Sequence, residues 1–149
     1  MKRKRWILII FIVLLLGYIA YLYIENNSYK ATLDKTAKAV STIDKVMVSI
    51  KENTLTKTGA VLIIKNESNT NHLTGEAFYV EKKENGKWYS LKPRHDLFWI
   101  AIGYDIKTNE EREFECNWDD MYGKLEKGTY RLVKELDSKR IAAEFEIKD

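Results

Sequence analysis

From residue 45 onward, hydrophobic residues recur at every second position in short stretches. In the first stretch, KVMVSIKEN, Val46, Val48 and Ile50 occupy alternate positions. A period of two is typical of half-buried β-strands, because successive side chains point to opposite faces of a sheet. The nearly continuous apolar run from Ala60 to Ile64 predicts a central strand.

Two later stretches extend this strand pattern. In EAFYVEKKENGKWYSLKP, two aromatic-rich runs flank Asn85 and Gly86, a dipeptide that favours the tight turn of a β-hairpin. In EREFECNW, Phe114, Cys116 and Trp118 alternate with polar residues and are expected to face the core. At such a position the Cys116 thiol would be buried and unreactive.

The stretches GTYRLVKEL and RIAAEFEIK complete a set of seven to eight short strands separated by polar turns. This spacing favours an all-β sandwich over alternating strands and helices. Tyr130 follows L-x-x-G-x at the start of a late strand, which fits the tyrosine corner of Greek-key sandwiches. We therefore expect Tyr130, Cys116 and Trp118 to be structural residues.

The N-terminal part of the sequence predicts a membrane segment. Residues 6–24 contain no charged residue, and a helix of that length rises roughly 28 Å, close to the ~30 Å hydrocarbon core of a bilayer. The alternative is a cleaved signal peptide. Its apolar region would normally be shorter, and bulky neighbours surround Ala20, the only candidate cleavage position. We predict an uncleaved transmembrane anchor.

The charges around this segment predict its orientation. KRKR precedes it and ENN follows it, so the N-terminus is expected in the cytoplasm. The predicted organisation is a basic cytoplasmic tail (1–5), a single-pass anchor (6–24), a polar stem (25–44) and an extracellular domain (45–149). Within the stem, TLDKTAKAV could form two helical turns capped by Thr32. We favour an irregular stem without a strand.

Composition narrows the classes of partner. Four of the 25 basic residues precede the apolar segment, and the remaining 21 face 22 acidic residues, a net charge of −1. No charged field suited to nucleic acid remains. Cys116 is the only cysteine in the sequence, so the domain has no internal disulfide and relies on packing.

Several stretches together resemble a bacterial immunoglobulin (Ig)-like domain family of Firmicutes surface and membrane proteins. They cover about residues 45–149 in order: GAVLIIKNES, GEAFYVEKKENGKWYSLKP, IGYDIKTNEEREFECNW, YGKLEKGTYRLVKEL and AAEFEIKD. The resemblance implies an Ig-like sandwich displayed outside the cell. Family members are often lipoproteins or extracellular appendages, whereas this chain uses a transmembrane anchor. The resemblance brings no catalytic residues with it.

The sequence offers little catalytic chemistry. His72 and His95 are expected in loops, and neither forms a recognisable nucleophile system with Cys116. The adjacent Asp119 and Asp120 lack the spacing of a calcium loop and instead suggest a short helical turn with an aspartate cap. We therefore predict no enzyme activity, no metal and no other cofactor.

The segment PRHDLFWIAIGYD is the strongest candidate for a partner surface. Phe98 and Trp99 are consecutive, so in an extended segment one fills the core and the other lies near the surface, with Arg94 nearby. The alternative is that both aromatic residues are buried. The leading hypothesis is a non-catalytic, membrane-anchored module that binds another envelope protein. An inhibitor of an envelope protease or other hydrolase and a purely structural spacer are the alternatives.

Overall fold

The computed structural model describes the backbone at residues 2–28 and 30–149, and side chains at 5–24 and 30–149. The side chains of Lys2, Arg3 and Lys4, on which the predicted orientation largely depends, lie outside this described part. Two helices and nine strands follow in order: α1 Lys2–Ser28, β1 Leu33–Thr36, β2 Val46–Ile50, β3 Gly59–Asn66, β4 His72–Glu84, β5 Lys87–Leu91, β6 Gly103–Ile106, β7 Glu111–Asn117, α2 Asp119–Tyr122, β8 Gly128–Leu136 and β9 Lys139–Ile147.

Helix α1 is long and apolar enough to cross a membrane. Its segment Arg5–Ile24 has a mean hydropathy of 2.8, and none of it is buried against the rest of the protein. Apolar side chains point outward around the whole helix, from Trp6 to Ile24. Such a helix needs an apolar solvent on every side, which a bilayer provides. A signal sequence near the N-terminus can also form a helix that meets these criteria of length and composition.

The strands form a sandwich of two antiparallel sheets. The first sheet has the order β1-β5-β4-β8-β9, with β6 also paired to β4, and the second has the order β2-β3-β7. The predicted all-β sandwich is confirmed, with nine strands rather than seven to eight. The core lies between the sheets, where Leu62, Ile64, Leu132 and Leu136 are fully buried.

Two tight turns set the register of the long hairpins. Asn85 and Gly86 both have positive φ, 49° and 77°, and join β4 to β5 as predicted. Asp137 and Ser138, with φ of 49° and 64°, join β8 to β9. Positive φ at both central residues is the signature of the type I′ turn, whose twist matches that of the flanking strands.

Part of the stretch predicted as a stem, 25–44, belongs to the first sheet, and residues 25–28 continue helix α1. Leu33–Thr36 forms β1, which pairs with β5, so the expectation of an irregular or helical segment is wrong there. Already at Lys30 the chain is tied to the domain by an ion pair with Glu126 at 2.6 Å. The four side chains of β1 are exposed, and the strand forms because β5 offers it a free edge rather than because it has an apolar face.

After β1, residues 37–41 cross the first sheet; we call this segment the strap. The Lys38 carbonyl accepts hydrogen bonds from Arg131 at 3.1 Å and from Arg140 at 2.7 Å. Both guanidinium groups also bind the carboxylate of Glu81, which is only 1% exposed. A buried carboxylate is tolerated when its charge is paired and its oxygens are hydrogen-bonded, and this cluster provides both while holding the strap down.

A second buried charge lies between the sheets. The ammonium of Lys134 donates to the carbonyls of Gly75, Glu76 and Ala77, at 2.7, 3.1 and 3.3 Å. The register of β4 is irregular between Thr74 and Phe78, and Lys134 satisfies the carbonyls that this irregularity turns inward. Burial lowers the pKa of Lys134.

Two smaller expectations are also corrected. His72 was expected in a loop, but it begins strand β4 and is buried. Asp119 and Asp120 do begin a short helix, α2, but Trp118 occupies the cap position without a side-chain hydrogen bond. The Asp119 N–H instead donates to Asn117 Oδ1 at 3.0 Å. No aspartate therefore caps α2.

Candidate functional site

The connection between β5 and β6, residues 92–102, exposes a series of apolar side chains. Phe98 is 89% exposed, Ile100 62% and Ile102 45%. Leu73 lies on the part of β4 that is next to β6. It is 57% exposed, and its side chain lies beside Gly103. We call the four residues Phe98, Ile100, Ile102 and Leu73 the loop patch. Large apolar side chains grouped on a surface mark interaction sites in soluble domains.

Two residues that alternate with Phe98 and Ile100 point inward. Leu97 and Trp99 are half-buried and pack against the core. The Trp99 ring contacts Phe78 and Tyr79, with ring centroids 5.1 and 6.5 Å apart. Its indole Nε1 is buried without a hydrogen-bond partner among the described residues. Packing rather than hydrogen bonding therefore holds Trp99, and with it the loop patch, in place.

The three candidate binding residues consequently occupy different environments. Phe98 points into solvent, and Trp99 points into the domain. Arg94 is half-buried, and its backbone N–H donates to the Met121 carbonyl at 2.8 Å, which ties the loop to α2. A role in partner binding stays a prediction for all three, and the geometry favours Phe98 as the contacting residue. Ile102 and Leu73 line the same surface groove, and Ile100 lies between Phe98 and Ile102 in the chain. The alternation of the LFWIAIG stretch was the signal for the two isoleucines.

Tyr130 adopts the geometry of a tyrosine corner. Its hydroxyl donates to the Glu126 carbonyl, four residues earlier, at 2.9 Å. Its ring stacks on Phe145 at a centroid distance of 5.7 Å and an interplanar angle of 18°. Burial raises the pKa of Tyr130 to about 12, so the hydroxyl stays protonated and able to donate.

Cys116 and Trp118 lie on the inner face of the second sheet and just beyond it. The Cys116 thiol is buried and donates to the Phe114 carbonyl at 3.6 Å. Burial raises the pKa of Cys116 to about 12, which removes the reactive thiolate at neutral pH. Trp118 is fully buried, donates from Nε1 to the Lys57 carbonyl at 3.0 Å and stacks on Phe145.

Sequence reasoning missed a serine, a histidine and an aspartate that meet at the end of the sandwich opposite the β4–β5 hairpin. Ser68 Oγ lies 3.1 Å from His72 Nε2, and His72 Nδ1 lies 2.5 Å from Asp137 Oδ2. The order of these contacts is that of a catalytic triad. The Leu73 N–H and the His72 ring both lower the pKa of Asp137, the Leu73 hydrogen bond most.

The hydrogen bonds of Ser68 argue against catalysis. Its single hydroxyl hydrogen is directed to Asn66 Oδ1 at 2.6 Å, with the Thr70 carbonyl as a second acceptor at 3.1 Å, and so points away from His72. A nucleophile needs proton transfer in the opposite direction, from serine to histidine. The Asn66 amide in turn donates to the carbonyls of Thr70 and Ile106. The network therefore braces the β3–β4 connection against β6.

The domain family follows from this architecture and from a family comparison. The described residues form a two-sheet antiparallel sandwich with a tyrosine corner, and the profile of the bacterial Ig-like domain family matches residues 42–146. The chain belongs to the bacterial Ig-like domain family. The predicted family is thus confirmed, whereas an origin in Firmicutes stays a prediction. No curated protein matches the chain.

The match begins just before β2 of the Ig-like domain. Strand β1 and the strap therefore precede the matched residues and are additions on its N-terminal side. They connect the domain to α1 and cover part of the outer face of the first sheet. Members of this family are generally non-catalytic, which favours an interaction surface over a reaction site at the loop patch.

The Ig-like domain also contains an exposed histidine–aspartate pair. His95 Nε2 lies 3.1 Å from Asp120 Oδ2. The Asp96 carbonyl and the Asp120 carboxylate raise the pKa of His95. Within the described part of the chain, no group of three or more histidine, cysteine or acidic side chains is arranged to hold a metal ion. The pair links the β5–β6 connection to α2.

Proposed function

We propose that the protein is a membrane-anchored binding module of the bacterial cell envelope. In this proposal α1 stays in the membrane, the N-terminus is cytoplasmic and the Ig-like domain is outside. The loop patch binds an apolar surface of another envelope protein. The observation that carries the proposal is the exposure of Phe98, Ile100 and Ile102 from one short connection in which Leu97 and Trp99 pack against the core.

The anchor supports this proposal because it keeps the domain close to the bilayer. The apolar segment ends at Ile24, and Lys30 is already paired with Glu126 on the domain. Six residues span at most about 20 Å. A partner in the same membrane or in the adjacent envelope layer therefore meets the domain at a high local concentration.

The chemistry of the loop patch supports binding. Fully burying one large apolar side chain contributes about 1.5–3 kcal/mol, and aromatic anchors dominate many protein interfaces. Burial of Phe98 contributes the most free energy, because Phe98 is the most exposed residue of the loop patch. The loop is held by Trp99 and by the Arg94–Met121 backbone hydrogen bond, so its ordering costs little on binding.

A photo-crosslinking residue placed at Phe98 in living cells tests the binding step. We expect one dominant envelope protein to be captured, and the same residue placed at Lys87, exposed at the β4–β5 hairpin, to capture little of it. A crosslinker at Ile102 should lose the product when Phe98→Ser is added. Equal capture from Phe98 and Lys87, or no capture by a folded protein, contradicts the proposal and favours a spacer.

The membrane orientation needs a separate test. In a Cys116→Ser background, Lys87→Cys places a single thiol on the exposed hairpin. With the cell wall removed, a membrane-impermeant maleimide should label this thiol in intact cells as fully as in lysed cells. Labelling only after lysis would place the domain in the cytoplasm. Release of the domain into the medium would identify α1 as a cleaved signal.

A further inference from the structure

Strand β7 has an open edge. The second sheet ends with β7, in the order β2-β3-β7. Strand β6, which precedes β7 in the chain, pairs with β4 of the first sheet instead. Among the described residues, β7 therefore has a strand neighbour on one side only. Such an edge presents backbone donors and acceptors to whatever lies beside it.

The register between β7 and β3 identifies which backbone groups of β7 point toward the open edge. The Trp118 N–H donates to the Thr58 carbonyl at 2.9 Å. In an antiparallel pair, hydrogen-bonded and non-bonded residues alternate, so the even-numbered residues of β7 bond to β3. The N–H and carbonyl groups of Glu113 and Glu115 point the other way. No described residue makes a hydrogen bond to them.

A groove of about 180 Å³ follows this edge. It is lined by five consecutive residues, Arg112 to Cys116. Consecutive side chains of a strand point to opposite faces, so five in a row can line one groove only along the backbone edge. Glu76 and Tyr104 of the first sheet contribute to its lining, together with the buried Lys134.

The charges on the outer face of β7 indicate what kind of partner strand can bind at the open edge. Glu111, Glu113 and Glu115 are exposed on that face, while Phe114 and Cys116 are buried on the other. Lys51 reaches Glu113 from the β2 side at 2.8 Å. On the open side, alternate residues of an added strand would lie directly beside this row of carboxylates. Opposite charges at such cross-strand positions are favourable, and like charges are unfavourable.

We propose that the open edge of β7 binds an extended segment of a partner protein that carries lysine or arginine at alternate positions. The segment adds to the second sheet as a fourth strand, bonded to the backbone of Glu113 and Glu115. Charge disfavours a second copy of this chain paired through the same edge, because its glutamates would face Glu111, Glu113 and Glu115. This site is separate from the loop patch and does not depend on it.

Binding of a short peptide to the full chain in detergent micelles tests the proposal. The probe has the length of β7 and alternates lysine with valine. The controls are the same peptide with glutamate in place of lysine, and the lysine peptide with alternate backbone nitrogens methylated. We expect the lysine peptide to bind at least about tenfold more tightly than either control.

Amide hydrogen exchange shows where the peptide binds. The amides of Glu113 and Glu115 should gain protection on addition of the lysine peptide. The amides of Phe114 and Cys116 already bond to β3 and should change little. Protection confined to other strands, or equal affinity of the methylated peptide, overturns the proposal. So does the absence of binding to the folded wild-type chain.

Charge reversal provides the matched variants. Glu113→Lys combined with Glu115→Lys should lower the affinity for the lysine peptide about tenfold. The glutamate peptide should then bind more tightly than the lysine peptide. Glu144→Lys combined with Glu146→Lys reverses two exposed charges on β9, in the other sheet, and should change affinity less than about twofold. Thermal unfolding of both double variants checks that they are folded. Equal effects of the two pairs would show a long-range charge effect and overturn the assignment to β7.

Discussion

The indole of Trp99 packs against the ring of Phe78 with centroids 5.1 Å apart and an interplanar angle of 58°. Phe98, the preceding residue, is 89% exposed. In an extended segment these two orientations are linked, because turning Trp99 inward turns Phe98 outward. The residue that fixes the loop is thus distinct from the residue that is presented for binding.

This distinction predicts opposite effects of two substitutions. Trp99→Ala should lower the free energy of unfolding by about 2–4 kcal/mol, because it removes a large ring from the edge of the core. Phe98→Ser should change it by less than about 0.5 kcal/mol and still abolish crosslinking from Ile102. Thermal and denaturant unfolding of the full chain in detergent micelles measure the difference. Equal destabilisation by the two substitutions would show that Phe98 is also a packing residue.

The corner hydrogen bond between Tyr130 and Glu126 predicts a cost for removing one hydroxyl. Tyr130→Phe should lower the free energy of unfolding by about 1 kcal/mol, because the ring is kept while the partly buried hydrogen bond to the Glu126 carbonyl is lost. Tyr89→Phe on β5 is the control, since the Tyr89 hydroxyl makes no hydrogen bond to a described residue. An unchanged unfolding midpoint for Tyr130→Phe would contradict a stabilising corner.

The strand core was predictable because the relevant signals are local. Phe114 and Cys116 are separated by one residue and face the same side, so the period of two identifies their burial from the sequence. Asn85 and Gly86 likewise carry their own turn preference. The Phe98–Trp99 alternation followed from the same rule, although the sequence did not indicate which of the two would face inward.

The missed features depend on partners distant in sequence. Strand β1 has no apolar face and forms only because β5 leaves an edge beside it. Arg131 and Lys134 occupy strand positions where burial is unfavourable without Glu81 and the β4 carbonyls. The network of Ser68, His72 and Asp137 requires the β8–β9 turn to meet the start of β4. No pattern within a short stretch of sequence encodes these tertiary contacts.

The buried thiol of Cys116 predicts slow chemical labelling. With its pKa raised to about 12 by burial, the thiol should react with a maleimide only as fast as the domain unfolds. Addition of denaturant should make the reaction rapid. The control is Lys87→Cys in a Cys116→Ser background, which should react at once in the folded protein. Rapid labelling of native Cys116 would place its thiol at the surface.

The lowered pKa of Asp137 predicts a loss of stability in acid. A carboxylate whose pKa is lower in the folded state stabilises the protein above its ordinary value of 3.8, and this contribution disappears as the pH falls through the folded value. Asp137→Asn should therefore be less stable than wild type at neutral pH, and the difference should narrow below about pH 4. Unfolding of both proteins across this pH range measures the difference in their free energies of unfolding. A constant difference would show that the charge of Asp137 does not contribute.

The Ser68 network predicts a structural rather than a catalytic effect of removing its hydroxyl. Ser68→Ala should lower the free energy of unfolding by about 1–3 kcal/mol, because Asn66 Oδ1 and His72 Nε2 each lose a buried partner. Ser49 on β2 is exposed, and Ser49→Ala serves as the matched control with little expected change. Hydrolysis of an activated ester should be the same for wild type and Ser68→Ala when both are folded. A wild-type rate that Ser68→Ala abolishes without unfolding the domain would make Ser68 a nucleophile and overturn the structural assignment.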